Sequence, residues 1–196
     1  ANIRKSGVIA IITDEGDELK SVVRTTGDDN IILATHCGKA IRFNENDVRS
    51  MGRVTRGVRG IRLDDDDYVV GMAVERENAT LLSVTEKGYG KRTAISEYRL
   101  QTRGGKGIMN YNITERTGDI AAISVVDDNN DILLLTSGAV VLRTAVSEIP
   151  VISRTTQGVR IVRLEEGVRI IDISRTEKEE SAEAEKADES AEPTAE

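Results

Sequence analysis

The chain has 196 residues, of which 38% are hydrophobic and 31% charged, and its formal net charge is −7. No stretch approaches the roughly 18 consecutive apolar residues of a membrane-spanning helix, which excludes that class of protein. The single cysteine, Cys37, excludes an internal disulfide and fits a reducing cytosol. It stands beside the single histidine, His36, and without a second soft ligand at metal spacing the pair indicates strand-end packing rather than a zinc or nucleophile site. Because no initiator Met and no signal-like start are present, we expect the sequence to begin inside a longer protein or after processing.

The net negative charge comes from the C-terminal segment 176–196. This segment holds nine of the 34 acidic residues and two of the 27 basic ones, so residues 1–175 carry 25 of each. It is rich in Ala, Glu and Ser and has no aromatic residue, so it buries too little surface to offset the entropy of ordering the chain. We therefore predict a folded body over 1–175 and a disordered acidic tail over 176–196.

Short apolar, β-branched runs bounded by Gly, Asp and Asn predict β-strands along the whole body. In chain order they are 8–12, 19–24, 31–35, 40–43, 58–63, 68–74, 80–85, 89–93, 108–113, 120–126, 132–136, 140–144, 159–164 and 168–174. Runs such as 31–34 and 132–135 are apolar on both faces, which is typical of a sheet packed between two others. The acidic turns between strands lack the spacing of a calcium-binding loop, and we interpret them as solvated turns.

The strands recur with a period of about fifty residues. Each repeat begins with a glycine that opens an apolar strand, and in three repeats an arginine stands four residues before that glycine. The glycines are Gly7, Gly57, Gly107 and Gly158, and the arginines are Arg53, Arg103 and Arg154. Such a period predicts an all-β, propeller-like fold in which each repeat is one small antiparallel sheet that stacks on its neighbours. The predicted repeats lie near 7–56, 57–106, 107–157 and 158–175, which gives three and a half to four blades.

The segment 101–107, Gln-Thr-Arg-Gly-Gly-Lys-Gly, carries the most specific signal. Its glycines let backbone amides approach a phosphate, and Arg103 and Lys106 supply charge that releases counterions from a duplex. Taken alone, the segment also fits a flexible basic loop.

Together with the repeat, this segment resembles the basic glycine-rich box of the C-terminal β-pinwheel domains of DNA gyrase A subunits. The resemblance covers residues 1–175 and also rests on 38–43, 47–53, 56–63, 88–93, 146–149 and 156–160. Thr102 stands where the family box has a basic residue, and by register this copy falls in a late blade, whereas the family's principal box lies in the first. The resemblance therefore implies the later blades of a six-bladed β-pinwheel, with the first blades and the principal box upstream of Ala1.

The resemblance implies a domain that wraps duplex DNA around its rim with a positive hand, so that an ATP-dependent type II topoisomerase introduces negative supercoils. The implied partners are duplex DNA, the rest of the gyrase A subunit and the gyrase B subunit, in an A2B2 heterotetramer of the bacterial cytoplasm and nucleoid. The family's catalytic tyrosine and its ATP and Mg²⁺ sites lie elsewhere, which implies no catalytic residue, metal or cofactor in this fragment. We accordingly interpret the four tyrosines as core or rim packing. They are Tyr68, Tyr89, Tyr98 and Tyr111.

The repeated cations and the box residues are the candidate DNA contacts. They are Arg53, Arg56, Arg92, Arg99, Gln101, Arg103, Gly104, Gly105, Lys106, Gly107, Arg143 and Arg154. In an alternative interpretation, some of these arginines only solvate strand ends or pair with Asp47, Glu97 and Glu148. We also expect the acidic tail to compete with DNA for the basic rim, because a tethered segment stays at high local concentration.

Two other functions stay open at this stage. One is the corresponding domain of the topoisomerase IV A subunit, which has the same fold and more degenerate boxes. The other is a non-catalytic, protein-binding β-propeller, which would not need a cation before each glycine and which salt dependence of DNA binding would distinguish. An enzyme in its own right is disfavoured, since no acid–base pair, metal cluster or phosphate loop followed by a helix is visible.

Overall fold

The computed structural model describes residues 7–178 and shows an all-β chain. Its strands are β1 (Asn30–Thr35), β2 (Lys39–Asn44), β3 (Val69–Val74), β4 (Thr80–Thr85), β5 (Tyr89–Ala94), β6 (Ile108–Met109), β7 (Ile120–Val126), β8 (Asn130–Thr136), β9 (Val141–Ala145), β10 (Val159–Arg160) and β11 (Ile170–Glu177). Three short 3₁₀ helices follow β2, β5 and β9, at Glu45–Asp47, Ile95–Glu97 and Val146–Glu148. In this part of the chain no helix is both long and apolar enough to cross a membrane.

The strands form three antiparallel sheets, each built around a tight hairpin. The strand order is β3-β1-β2-β6 in the first sheet, β10-β5-β4-β7 in the second and β11-β8-β9 in the third. In the hairpins Leu33 pairs with Ile41, and Leu82 pairs with Arg92. The strand β7 lies against both β3 and β11, so one edge strand of each sheet faces the centre of the molecule. The two-residue strands β6 and β10 lie at the opposite, outer edges.

Each four-stranded sheet draws its strands from three successive repeats. The first sheet takes β1 and β2 from repeat 7–56, β3 from repeat 57–106 and β6 from repeat 107–157. The expectation that each repeat forms its own sheet is therefore wrong. The all-β, blade-like fold is confirmed, but neighbouring repeats are interlocked along the chain.

Alternation along β4 fills two of the three hydrophobic cores. Leu81 packs with Ile32 and Ile120 between the first and second sheets, whereas Leu82 packs with Ile132 between the second and third. All five side chains are fully buried. Burial of each such side chain stabilises the fold by about 1.5–3 kcal/mol, so the apolar pattern on both strand faces is explained by packing on both sides.

Several predicted strands do not join a ladder. The segments 8–12, 19–24 and 58–63 have no strand partner among the described residues, and Val8, Leu19 and Val22 are largely exposed. The predicted strands 108–113 and 159–164 shorten to two residues each. After Met109 the amides of Asn110 and Tyr111 both donate to Gly38 O, at 2.8 and 3.1 Å, which turns the main chain away from β2.

The boundary between body and tail lies later than predicted. Thr176 and Glu177 pair with Asp131 and Asn130 in the β11–β8 ladder, and the amide of Lys178 donates to Asn129 O at 3.1 Å. The remainder of the predicted acidic tail, 179–196, lies outside the described residues.

Candidate nucleic-acid interface

We call the segments 51–57, 101–107 and 152–158 the arginine loops. The second loop leads directly into β6 and the third into β10, so both reach an outer edge strand. Each loop ends in a glycine with positive φ, at +76°, +70° and +69° for Gly57, Gly107 and Gly158. At Gly107 a Cβ would lie 2.6 Å from Ala40 O. The loop therefore passes directly over β2, and glycine is required at its end.

An acidic side chain anchors each of the last two arginine loops. The main-chain amide of Arg103 donates to Asp47 Oδ2 at 3.4 Å, and that of Arg154 donates to Glu97 Oε2 at 3.1 Å. Asp47 and Glu97 are the last residues of the first two 3₁₀ helices. The arginines do pair with Asp47 and Glu97, as the alternative interpretation expects, but each acid binds the main-chain amide of the arginine and forms no ion pair with its side chain. The two carboxylates therefore position the loops and leave the charge of the guanidinium groups unpaired by these acids.

The guanidinium groups of the same two arginines bind main-chain carbonyls. Arg154 Nη1 donates to Met109 O at 2.7 Å, and Arg103 donates from Nε to Asp47 O at 3.1 Å and from Nη1 to Arg59 O. Met109 belongs to the outer strand of the first sheet, whereas Arg154 precedes that of the second, so this bond ties neighbouring sheets at their outer edges. A carbonyl is neutral and a guanidinium has five N–H donors, so both arginines keep their charge and spare donors.

Three of the candidate cations are exposed and bind no acidic side chain directly within residues 7–178, although Lys39 and, more weakly, Lys106 lower the pKa of the Asp64 carboxyl. Arg53, Arg99 and Lys106 make no hydrogen bond or ion pair with any residue of 7–178. Arg56 is also exposed, but its Nη1 lies 2.8 Å from Asp14 Oδ1. An ion pair on the surface contributes about 0–1 kcal/mol, so a phosphate can replace Asp14 at little cost.

The arginines of the hairpin strands are engaged inside the fold. Arg92 has an 8% exposed side chain that donates from Nε to Ile149 O at 2.6 Å and from Nη1 to Asp128 Oδ1 at 2.5 Å. Its counterpart Arg42 donates from Nη1 to Tyr98 O at 3.0 Å. Ile149 and Tyr98 each follow a 3₁₀ helix of the next sheet, so these arginines fasten one blade to the next. This location does not present Arg92 to a ligand at the surface.

Arg143 is likewise held by its own sheet. Its Nε donates to Asp131 Oδ2 at 2.8 Å and its Nη2 donates to Glu177 O at 3.0 Å. The carboxylate of Asp131 offsets the charge of Arg143, so both predicted contacts from the hairpin strands, Arg92 and Arg143, are committed to the fold.

The remaining box residues shape the loop rather than face outward. The amide of Gly104, at φ +81°, donates to Gly60 O at 2.7 Å, and Gly105 O accepts from the amide of Arg62 at 2.8 Å. These bonds use the Gly104 amide internally instead of leaving it for a phosphate. The side-chain nitrogen of Gln101 is buried and has no hydrogen-bond partner within the described residues.

Three of the four tyrosines take the packing role expected of them, whereas Cys37 is exposed in the turn between β1 and β2. Tyr89, Tyr98 and Tyr111 are buried, while the half-exposed Tyr68 stacks on His36 with the ring centroids 4.5 Å apart. Partial loss of contact with water and the neighbouring Asp67 raise the pKa of the Cys37 thiol, the opposite of what activates a nucleophile. Among residues 7–178 no group of three or more His, Cys, Asp or Glu side chains is placed to hold a metal ion.

One exposed cation of this surface was missed by the sequence reasoning. Arg49 follows the first 3₁₀ helix at the position that Arg99 takes after the second, and it too has no partner within residues 7–178. The repeat alignment itself carried the signal, because Asp47-Val48-Arg49 matches Glu97-Tyr98-Arg99. We call the following set the rim cations: Arg49, Arg53, Arg56, Arg99, Arg103, Lys106 and Arg154.

Comparison with known proteins identifies the family of this chain. The family model of the DNA gyrase C-terminal domain, beta-propeller, matches three segments, 29–74, 79–127 and 130–177. Each matched segment contains one hairpin and the inner strand that pairs with it, so the matches follow the observed sheets.

Individual relatives agree with this match. The DNA gyrase A subunit of Salmonella typhimurium is 42% identical over 172 residues, and that of Staphylococcus epidermidis is 43% identical over 183 residues. These alignments cover 88% and 92% of this chain, but the chain spans only about 20% of each relative's length.

Solved structures show the same relationship. A DNA gyrase A C-terminal domain superposes with a TM-score of 0.81 at 30% identity, covering 87% of this chain and 58% of that one. The C-terminal domain of DNA topoisomerase IV superposes with a TM-score of 0.73 at 25% identity, covering 85% and 53%. By the family match, the sequence identity and the fold, the chain belongs to the DNA gyrase C-terminal domain family.

Proposed function

We propose that this chain is the part of a bacterial DNA gyrase A subunit that wraps duplex DNA. In this proposal it acts with the rest of that subunit and with the gyrase B subunit, as an A2B2 heterotetramer in the cytoplasm and at the nucleoid. The assembled enzyme is an ATP-dependent type II topoisomerase that introduces negative supercoils. We assign catalysis and the binding of ATP and Mg²⁺ to other parts of that assembly.

The observation that carries the proposal is the spacing of unneutralised cations along the outer edge. An arginine loop precedes each of the outer strands β6 and β10, and the guanidinium groups of Arg103 and Arg154 are held by carbonyls rather than by carboxylates. Arg49, Arg53 and Arg99 add exposed charges at positions related by the repeat. The surface is therefore cationic at regular intervals although the body as a whole is neutral.

Regularly spaced cations suit a ligand whose charge is itself regular. A duplex carries one negative charge per roughly 1.7 Å of its axis, and phosphate contacts position it without reading the bases. Bending 20–30 base pairs costs on the order of 1–6 kcal/mol, which several phosphate contacts offset. We expect DNA binding of low sequence specificity that follows the blade edges.

Salt dependence tests whether the rim cations bind phosphates. Fluorescence anisotropy with a labelled duplex of about 40 base pairs, at salt concentrations from about 50 to 200 mM, gives the slope of log K against log salt. Contacts from all seven rim cations predict a slope of about −6, since each phosphate contact contributes about −0.9. A slope near zero would contradict the proposal and would favour a protein-binding propeller.

A topological assay separates wrapping of the gyrase kind from the topoisomerase IV alternative. Nicked circular DNA is ligated in the presence of the chain, and the linking number of the product is measured on two-dimensional gels. Wrapping with a positive hand gives a positive shift that grows with protein concentration. Binding without any shift in linking number would assign the chain to the group that positions DNA without wrapping it.

A further inference from the structure

A second cationic surface borders the third arginine loop, at the hairpin end of the second sheet, where Arg116 Nη2 donates to Gln157 Oε1 at 3.1 Å. It is an open cleft of about 670 Å³ between the β4–β5 turn and the segment 160–169. Five basic side chains line it, and Glu165 is the one acidic residue in its wall among the described residues. The five are Lys87, Arg116, Arg160, Arg163 and Arg169.

The repeat accounts for only two of the five cations, because Arg59 and Arg62 stand after Gly57 as Arg160 and Arg163 stand after Gly158. The corresponding positions at the hairpin end of the first sheet are Cys37, Met109, Asn112 and Asp119, which match Lys87, Arg160, Arg163 and Arg169. The first sheet folds without cations at these places, so the blade architecture does not require them. A similar cleft of about 690 Å³ is lined by Arg56, Arg59 and Arg62, but its wall also contains Asp14 and Asp17. The cleft of the second sheet therefore differs in its excess of positive charge, with five basic side chains against one acidic side chain.

Two of the guanidinium groups are held in place by an aromatic ring that leaves their charge intact. Arg160 Cζ lies 5.2 Å and Arg116 Cζ 5.4 Å from the centroid of the Tyr89 ring. Arg160 also donates from Nη2 to the Tyr89 hydroxyl at 2.7 Å. Cation–π contacts fix guanidinium groups without neutralising them.

The other cations of the cleft are weakly compensated. Arg163 makes no hydrogen bond or ion pair within residues 7–178. Arg169 approaches Glu86 Oε2 only to 3.8 Å, and Lys87 donates to the neutral carbonyl of Glu115. Like charges gathered in a cleft repel one another, and an anion with more than one charge relieves that repulsion.

We propose that this cleft binds a phosphate anion carrying at least two negative charges. Guanidinium forks match the geometry of phosphate oxygens and form short, charge-assisted hydrogen bonds with them. The same chemistry is offered by a free polyphosphate and by the backbone of a duplex that extends beyond the rim. The cleft adjoins the third arginine loop but shares no residue with the rim cations, so the substitutions that test this proposal differ from those that test DNA wrapping.

The first test is calorimetric titration of the 196-residue chain with sodium pyrophosphate in chloride buffer of constant ionic strength. We expect saturable binding at one site. Arg163→Gln should weaken it about tenfold, since a hydrogen bond to a charged group is lost. Arg163 has no partner within residues 7–178, so this variant keeps its thermal melting temperature. Arg99→Gln, which removes one rim cation, is the matched control and should bind pyrophosphate normally. Equal weakening by both variants would reveal diffuse electrostatic attraction and would overturn the proposal.

The second test asks where the phosphate comes from. A duplex of about 40 base pairs is added to the chain saturated with pyrophosphate. If the duplex displaces pyrophosphate from the parent chain but not from Arg163→Gln, the phosphate comes from the DNA backbone. If pyrophosphate stays bound when the duplex is added, the site takes a free anion. Both results support a phosphate site. If pyrophosphate shows no saturable binding and Arg163→Gln leaves duplex affinity unchanged, the cleft binds no phosphate, and DNA binding by the rim would still be judged from its own salt slope.

Discussion

Glu97 accepts a hydrogen bond from the main-chain amide of Arg154 at 3.1 Å, and Asp47 accepts the equivalent bond from Arg103. An acid at the end of one 3₁₀ helix therefore fixes the arginine loop of the following repeat. Negative side chains beside a DNA-binding surface would weaken binding if their only effect were charge. Their geometry shows a different role, because they hold the loops from which the guanidinium groups project.

Removing this anchor should lower stability. Glu97→Ala loses a side chain–backbone hydrogen bond, which contributes about 1 kcal/mol to the free energy of unfolding. Glu97→Gln keeps a carbonyl oxygen that can accept the same bond and should lose less than half as much. Urea denaturation of the three proteins measures the difference. If Glu97→Ala is as stable as the parent chain, the contact does not hold the loop.

The glycine that ends the second arginine loop should not tolerate a side chain. Gly107 has φ +70°, and a Cβ there would lie 2.6 Å from Ala40 O, so Gly107→Ala should destabilise the fold by about 1–3 kcal/mol. Gly105→Ala is the matched control in the same loop, because its nearest neighbours would be at 3.6 Å, an ordinary contact distance. Melting temperatures of both variants compare them directly. Equal destabilisation by both would show that the loop needs flexibility rather than close approach to β2.

The sequence predicted which segments form hairpins but not which strands complete each sheet. Hairpins such as 31–35 with 40–43 are recognisable from local spacing, since both strands and their turn lie within about fifteen residues. The partner of β2 at the outer edge is Ile108–Met109, in another repeat. A periodic sequence fixes the spacing of such segments but offers several equivalent pairings, and only packing in three dimensions selects one.

The same limit explains why the sequence did not separate the arginines of the hairpin strands from those of the arginine loops. Arg92 and Arg103 both recur with the repeat, so spacing alone gives no reason to separate them. Arg92 lies on a strand buried on both faces, where a guanidinium needs partners, and it finds Asp128 and Ile149 O. Arg103 precedes an outer strand and its guanidinium binds carbonyls. The difference is one of burial, which repeat periodicity does not encode.

These two environments predict opposite effects of substitution. Arg99→Gln removes an exposed cation without a partner in residues 7–178, so it should leave stability within about 0.5 kcal/mol and reduce the salt slope of DNA binding by about one. Arg92→Gln removes two hydrogen bonds and part of an inter-sheet contact, so it should cost about 1–3 kcal/mol of stability. At temperatures where both variants are folded, Arg92→Gln should keep the salt slope of the parent. A reduced slope for Arg92→Gln would mean that it contacts phosphate after all.

Beneath the third arginine loop lies a buried lysine that faces the carbonyls of that loop. Lys91 is fully buried, and its Nζ donates to Ser153 O at 2.8 Å and to Arg154 O at 2.5 Å. It also lies 4.9 Å from the centroid of the Tyr111 ring. Burial lowers the pKa of Lys91 from 10.5 to about 8, because the carbonyls and the ring only partly replace the water around the ammonium group.

A lowered pKa makes stability depend on pH in a defined direction. Below about pH 8 the folded and unfolded chains both carry the proton, and the full cost of burying the charge is present. Between about pH 8 and 10.5 the unfolded chain holds more protons than the folded one, so the contribution of Lys91 to stability rises with pH. Lys91→Met removes this titration while keeping most of the buried volume. The parent chain should therefore gain stability relative to Lys91→Met between about pH 7 and pH 9.5, as measured by urea denaturation at both values. A constant difference between the two proteins would show that Lys91 keeps its ordinary pKa, and that water reaches its ammonium group despite the burial.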